Sequence, residues 1–195
     1  MNKKFLSLFL TFFLLGSPCP SFAVQFDGTD DAINLGADSQ AIAVSGNITI
    51  SCWVKVTDYA NYNGILGITN INLPDPIDFY LDQTTGKPNF FLSSVSNVVA
   101  TAAPGTGAWH HIGVKFDGTN ITHYLDGATN GSGAGSIAAQ SNAFSNTVYI
   151  GTRSDGATRF KGEMFGLAAW NTDLTDAEMS TLAKSRLERI YLQIR

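Results

Sequence analysis

Three kinds of residue are scarce in this chain, and each scarcity argues against a class of function. Among its 195 residues are two cysteines, three glutamates, and 12 lysines and arginines against 16 aspartates and glutamates. The formal net charge of −4 makes nucleic acid a poor partner, because duplex binding needs a basic surface that displaces counterions. Anionic membrane surfaces are poor partners for the same reason.

Long apolar runs are also absent, except at the N-terminus. There a pair of lysines precedes the apolar run Phe5–Leu15, and the small-x-small sequence Ser21-Phe22-Ala23 follows it. A run of about eleven residues is too short to cross a bilayer, and the arrangement is typical of a secretory signal peptide. We expect cleavage after Ala23. Residues 1–23 are then a signal peptide, and 24–195 form one exported domain without an integral membrane segment, secreted, at the cell surface or periplasmic.

Cleavage would leave Cys52 as the single cysteine, so no internal disulfide can staple the domain. Cys52 alternates with Ile50 and Val54, which predicts a place on the inward face of a strand, as a small buried hydrophobe. Loss of the two N-terminal lysines leaves ten basic and 16 acidic residues, a mature net charge of −6. The domain must therefore be stabilised by its apolar core.

Short apolar stretches separated by Gly, Asn, Asp, Pro and Ser predict a series of strands. The predicted strands are Val24–Phe26, Ala32–Leu35, Ile48–Val56, Gly64–Thr69, Ile77–Leu81, Asn89–Leu92, Val98–Thr101, His110–Phe116, Ile121–Leu125, Thr147–Gly151 and Phe160–Trp170. No helical period lies between them, which favours an all-β fold, a two-sheet antiparallel jelly-roll sandwich. The small-residue stretch 131–135 is predicted to be a flexible hairpin tip.

One short C-terminal helix is indicated after the last strand. Thr175 and Glu178 have the spacing of a capping box, and apolar residues then recur at helical spacing on one face. These are Met179, Leu182, Ala183, Leu187 and Ile190. The residues from Tyr191 to Arg195 are predicted to be an extended tail.

Four segments carry a resemblance to a known family. They are the opening stretch Phe26–Leu35, the long tryptophan-containing strand Asn47–Lys55, the hairpin Trp109–Gly127, and the closing strand with its helix start, Phe160–Glu178. In this order the chain resembles the laminin-G-like domains of the concanavalin A-like lectin/glucanase superfamily, which are related to pentraxins. The resemblance covers nearly the whole mature chain. It implies an exported module that binds glycans, proteoglycans or other proteins through its rim or concave face.

Calcium is the cofactor that the resemblance raises, because members of this family often carry a structural Ca²⁺. The first candidate ligands are Asp27, Asp30, Asp31 and Asp126, because Ca²⁺ takes carboxylate oxygens gathered from several loops. A competing interpretation is that Asp-Gly pairs such as 27–28 and 126–127 only serve tight turns. The chain also reads Phe165-Gly166 where many relatives have an acidic residue, which argues against the metal.

Two loops hold the candidate ligand-binding residues. Sugar recognition uses exposed aromatic rings and amides that fix hydroxyl groups. The candidates are Tyr59, Asn61, Tyr62 and Asn63 in one loop, and Arg153 and Asp155 in another. Trp53, Trp109 and Trp170 lie within predicted strands and are expected to serve structural packing. Solvated connectors of this composition are the alternative interpretation for both loops.

Catalysis has little support in the residue pattern. A glycosidase needs two carboxylates across the scissile bond, and the three glutamates are Glu163 in the closing strand and Glu178 and Glu188 in the helix. His110 and His111 are adjacent, so they point to opposite faces of a sheet.

The sequence therefore predicts a non-catalytic recognition or adhesion module that binds a glycan or a cell-surface glycoprotein. A structural spacer in a larger surface protein is the first alternative, and a glycoside hydrolase of the same fold is the second. The ligand and the oligomeric state stay open at this point.

Overall fold

A computed structural model describes residues 23–36, 46–70, 77–92, 96–136 and 146–192. The described residues form twelve strands and one helix. In chain order these are β1 Val24–Asp27, β2 Ile33–Asn34, β3 Ile48–Val56, β4 Asn63–Asn70, β5 Ile77–Leu81, β6 Pro88–Leu92, β7 Ser96–Val99, β8 Trp109–Phe116, β9 Asn120–Leu125, β10 Ala128–Ala134, β11 Asn146–Ile150, β12 Lys161–Trp170 and α1 Asp176–Leu192. The predicted signal peptide lies outside the described residues, except for Ala23.

The strands make two six-stranded antiparallel sheets, which confirms the predicted all-β sandwich. Sheet A has the order β1-β12-β3-β8-β9-β10, and sheet B has the order β2-β11-β4-β5-β6-β7. The centre of sheet A is the long pairing of β3 with β8, which runs from Ile48 opposite Phe116 to Lys55 opposite Trp109. Within the described ranges, no helix combines the length and the apolar character needed to cross a membrane.

The core lies between the sheets, and every second residue of a strand points into it. Ile50, Cys52 and Val54 of β3 have no exposed surface and belong to the same core cluster as Phe79 and Phe90 of sheet B. Burial of each such side chain stabilises the fold by about 1.5–3 kcal/mol. Cys52 is thus buried as predicted, and its burial raises the pKa of the thiol to about 12.

The small-residue stretch predicted to be a flexible tip is largely an edge strand, so that prediction was wrong. β10 pairs with β9 through Ser132 opposite Thr122 and Gly133 opposite Ile121, after a bulge. Glycine has a low strand propensity, so the residues themselves gave no strand signal. Pairing with β9 holds this segment in strand geometry. The segment is also closely packed, since a Cβ at Gly133 would lie 3.2 Å from the Val98 side chain.

The helix begins as predicted. The Thr175 amide donates to the Glu178 carboxylate, and the Glu178 amide donates to the Thr175 hydroxyl. Met179 is completely buried in a second small cluster with Tyr124 and Leu174. The helix continues to Leu192, so the extended tail predicted from Tyr191 was wrong there. The side chains of Leu187 and Ile190 lie outside the described residues.

The three tryptophans do not lie between the sheets. Trp53 lies on the outer face of sheet A, because its neighbours Cys52 and Val54 face inward and residues of a strand alternate. Trp109 of β8 lies on the outer face by the same alternation. Both are half-buried, and Trp53 meets His111 edge-on with ring centroids 5.4 Å apart. Trp170 packs against the small cluster under the helix. Trp53 and Trp170 thus pack outside the main core, and the packing role expected of Trp109 stays a prediction.

Candidate functional site

The outer face of sheet B carries two side chains that a simple sandwich would leave in water. In β5, Ile77, Phe79 and Leu81 face the core, so Asp78 and Tyr80 face outward. Both are nevertheless buried: Asp78 has no exposed surface, and Tyr80 has 8% of its surface exposed. Part of what covers these two side chains is the segment 151–160, which connects β11 to β12 and is called here the β11–β12 loop.

Two glycines of β4 let this loop lie directly on the sheet. A Cβ at Gly64 would be 2.3 Å from the Arg153 amide nitrogen, and a Cβ at Gly67 would be 2.2 Å from the Ser154 amide nitrogen. No real side chain tolerates backbone contacts that short. The pair of glycines is therefore what allows Arg153 and Ser154 to reach the middle of sheet B.

Asp78 anchors the loop from below. Its carboxylate accepts hydrogen bonds from the Ser154 amide at 2.7 Å, from the Ser154 hydroxyl at 3.0 Å and from Nε of Arg153 at 3.3 Å. Burial raises the pKa of Asp78, and the contacts with Ser154 and Arg153 partly offset that rise. Removing this carboxylate would leave three donors without their acceptor. A buried polar group that loses its hydrogen-bond partner strongly destabilises the fold.

Arg153 is held over two aromatic rings. Its guanidinium carbon lies 4.4 Å from the Tyr80 ring centroid and 5.5 Å from that of Tyr62. The two tyrosine rings meet edge to face at 5.6 Å. Contacts of a cation with aromatic faces in this range are attractive. Tyr62, Asp78, Tyr80, Arg153 and Ser154 are called the Arg153 cluster below.

The structure brings two of the predicted ligand-binding residues together in this cluster. Tyr62 and Arg153 are distant in sequence but in contact in space. Asp155 lies in the same loop, where its carboxylate accepts hydrogen bonds from the amides of Ala157 and Thr158 and so shapes the turn. Asn61 is exposed beside Tyr62. These four residues stay predicted ligand-binding residues.

Tyr59 and Asn63 are committed to the scaffold. The Tyr59 hydroxyl donates to the Pro104 carbonyl, and its ring covers Gly86, where a Cβ would be 2.6 Å from it. Asn63 is only 1% exposed; its amide donates to two carbonyls of its own loop and its oxygen accepts from the Lys161 amide. A ligand cannot reach Asn63, which removes it from the predicted set.

Sequence reasoning missed Asp78 and Tyr80. The available signal was an aspartate within the apolar stretch Ile77–Leu81, because a strand buried on both sides carries a charge only where that charge is paired. The identity of the partner, a loop about 75 residues further on, could not be read from the pattern.

The four predicted calcium ligands do not form one site. Carboxylate oxygens of Asp27, Asp30 and Asp31 lie within 4.8 Å of one another. Asp126 follows β9, four strands away from β1 in sheet A, a separation of roughly 19 Å at the usual strand spacing. It accepts hydrogen bonds from His110 and from the His111 amide instead. Its inclusion in the metal set was wrong.

The remaining three aspartates are compatible with a hard cation but do not require one. Three carboxylates close together are what Ca²⁺ takes from a loop. Two of them already serve the turn: Asp27 accepts from the Thr29 amide at 2.6 Å, and Asp31 accepts from the Asp27 amide at 2.9 Å. The Thr29 contact is the main cause of the lowered pKa of Asp27. Calcium at this turn stays a prediction.

The glutamates that a hydrolase would need are occupied elsewhere or lie outside the described side chains. Glu163 forms an ion pair with Lys55 at 2.9 Å in sheet A, and Glu178 belongs to the helix cap. Glu188 lies in the part of the helix whose side chains are not described. Neither described glutamate lies in the Arg153 cluster.

Comparisons with known proteins agree with this architecture. A laminin G family model, described as "Concanavalin A-like lectin/glucanases superfamily", matches residues 27–180. No curated protein matches the sequence. A native heptameric SAP-like pentraxin from Limulus polyphemus superposes with a TM-score of 0.64 at 18% identity, over 84% of this chain and 82% of that one.

The descriptions of two further structures name a carbohydrate ligand. The CBM40 of the Ruminococcus gnavus IT-sialidase, bound to alpha2,3 sialyllactose, has a TM-score of 0.63 at 14% identity, covering 83% of this chain and 97% of that one. Trypanosoma rangeli sialidase has a TM-score of 0.60 at 16% identity, over 82% of this chain and 27% of that one. At these identities the likeness concerns the fold alone.

Proposed function

Because the chain belongs to the concanavalin A-like lectin/glucanase superfamily, we propose that it is a non-catalytic recognition module that binds carbohydrate. The fold is shared by a carbohydrate-binding module and by part of a sialidase, so fold does not decide between binding and hydrolysis. The chemistry of the surface is what favours binding.

The observation that carries the proposal is the Arg153 cluster. A sugar ring offers an apolar face and a rim of hydroxyl groups, and binding sites meet these with an aromatic surface and a few fixed polar groups. Here half-buried Tyr62 and Arg153 stand at the surface, and buried Asp78 holds the arginine in place. Such preorganisation lowers the entropy lost on binding.

The open part of the same face continues from this cluster. Phe91 of β6 lies opposite Asp78 in the strand register and is half-buried. Asn97 of β7 lies opposite Phe91 and is exposed. An aromatic ring and an amide beside the arginine extend the surface toward the sheet edge, and an oligosaccharide would fit there better than a single sugar.

We propose that the protein binds its ligand outside the cytoplasm, either as a free glycan or as a glycan on a cell-surface glycoprotein. The support is the basic, apolar and small-residue sequence of 1–23. Mass spectrometry of the exported protein is expected to give a chain that begins at Val24. A fully cytoplasmic protein with Met1 intact would contradict the localisation but not the binding.

A glycan array followed by titration calorimetry on the purified protein tests the binding. We expect saturable binding of at least one glycan and a loss of about fivefold or more in Tyr62→Ala, since an aromatic surface of this kind contributes about 1 kcal/mol. Tyr59→Phe is the matched control, because Tyr59 is tied to the Pro104 carbonyl and the variant keeps the ring.

The outcomes separate the alternatives. A folded protein that binds no glycan favours the structural spacer. Release of reducing sugar that is abolished by Glu163→Gln favours the hydrolase and refutes the non-catalytic assignment. Equal binding by wild type and Tyr62→Ala places the sugar site elsewhere on the domain.

A further inference from the structure

Among the described residues, Arg153 is held on one edge of its guanidinium only. Nε donates to Asp78, and within the described part of the chain this is the only hydrogen bond of the group. The two terminal nitrogens, Nη1 and Nη2, carry the remaining donors. The Arg153 side chain keeps 24% of its surface exposed while Asp78 keeps 1%, so a ligand in solution can reach the arginine but not the aspartate.

The orientation of this free edge is set by three neighbours. Asp78 fixes Nε, and the Tyr80 and Tyr62 rings lie against the guanidinium. The arginine backbone is fixed as well, because it lies on Gly64. A planar pair of N–H donors in a fixed orientation matches a carboxylate, which accepts two parallel hydrogen bonds.

The carboxylates of Asp78 and Asp155 already accept hydrogen bonds from other groups. Asp78 already accepts from the Ser154 amide and hydroxyl in addition to Arg153. Asp155 accepts from two amides and from the Thr158 hydroxyl. Neither carboxylate therefore needs the outer edge of Arg153 to satisfy its hydrogen bonds.

We infer that the Arg153 cluster selects sugars that carry a carboxylate, a uronate or a sialate, by pairing that carboxylate with Nη1 and Nη2 of Arg153. This inference rests on the proposed function and names the class of glycan. A neutral sugar offers only hydroxyl groups to the same two donors, and hydrogen bonds to a charged acceptor are roughly twice as strong as those between neutral groups.

The test is calorimetric titration with three probes: 3′-sialyllactose, di-galacturonate and lactose. The sialylated and the uronate probe distinguish the two sources of the carboxylate, and lactose is the neutral reference. We expect at least one acidic probe to bind about tenfold or more tightly than lactose, because a charge-assisted bidentate pair contributes more than 1.4 kcal/mol.

Two arginine variants decide whether Arg153 is responsible. Arg153→Lys keeps the charge but loses the planar fork, and we expect it to remove most of the preference for the acidic probe. Arg159→Lys, in the same loop, is the matched control and is expected to bind as the wild type does. Thermal unfolding of Arg153→Lys is measured in parallel, and Asp155→Asn, which removes a nearby negative charge, provides a second route if Arg153→Lys fails to fold. Asp155→Asn should raise the ratio of the acidic-probe affinity to the lactose affinity, because the Asp155 carboxylate interacts electrostatically with Arg153.

The results distinguish this inference from the proposed function. Tight binding of lactose with no preference for either acidic probe overturns the carboxylate assignment and leaves glycan binding intact. An acidic preference that survives in folded Arg153→Lys overturns the role of Arg153. An Asp155→Asn variant with the same ratio of acidic-probe to lactose affinity as the wild type also counts against it. Absence of binding to every glycan of the array by folded protein overturns both proposals.

Discussion

Acid is expected to destabilise this domain through two buried neutral histidines. His123 lies in the core, stacked on Phe79 with ring centroids 6.3 Å apart, and its Nε2 is 2.8 Å from the Val98 carbonyl oxygen. That contact requires a proton on Nε2. Nδ1 is buried without a hydrogen-bond partner among the described residues. A second proton would place an unpaired charge in the core, and burial accordingly lowers the pKa of His123 to about 4.

The sign and size of the effect follow from linkage. In the unfolded chain a histidine titrates near pH 6.5, so between pH 6.5 and pH 4 the unfolded state binds a proton that the folded state does not. Stability is therefore complete above pH 6.5 and falls as the pH falls. For His123 the loss between pH 7.5 and pH 4.5 is about 2–3 kcal/mol. Burial also lowers the pKa of His111 to about 4, so it should contribute a similar amount.

Urea unfolding followed by tryptophan fluorescence at pH 7.5, 6.0 and 4.5 measures this loss. His123→Phe keeps an aromatic ring in the core but removes the titrating group. The variant is expected to start less stable, because the Val98 carbonyl loses its donor, yet to lose about 2–3 kcal/mol less than the wild type over this pH range. Parallel stability curves for wild type and variant would refute the argument, whatever the offset between them.

Other perturbations follow from the packing and the caps. Thr175→Ala should lower the free energy of unfolding by about 1 kcal/mol through loss of the helix cap, measured by chemical denaturation. Met179→Ala should cost about 2–5 kcal/mol in the same assay, and a smaller loss would mean that the helix contributes little to the domain. Cys52 should react with a thiol reagent only as fast as the domain unfolds, since burial raises its pKa to about 12; rapid labelling of folded protein would contradict that. Gly67→Ala should weaken glycan binding by displacing the β11–β12 loop, whereas Gly46→Ala, whose Cβ would meet nothing within 4 Å, should leave it unchanged.

The comparison of predicted and observed elements shows where local pattern is sufficient. β3 and β5 have the predicted bounds, Ile48–Val56 and Ile77–Leu81, because apolar residues end there at turn-forming ones. β10 was missed because its small residues, ATNGSGA, have no apolar alternation to reveal. Its strand geometry comes from hydrogen bonds to β9, which are contacts between segments.

The candidate site divides in the same way. Tyr62 and Arg153 could be proposed individually, because an aromatic residue and an arginine in loops are typical of binding surfaces. Their contact could not, since it depends on the β11–β12 loop folding back onto β4, next to β5. Asn63 shows the converse: its residue type favoured binding, and only the strand pairing showed that it is buried.

By itself, the sequence determined the fold class, the inward face of the long strands and the start of the helix. Alternation, turn chemistry and capping act between residues that are neighbours in the chain, so they can be read from it directly. The tertiary structure alone decided that Asp78 lies under Arg153, that Asp126 lies far from the other aspartates, and that two glycines leave room for a loop. Those outcomes depend on the order of strands in a sheet and on distances between remote segments, which the local pattern does not encode.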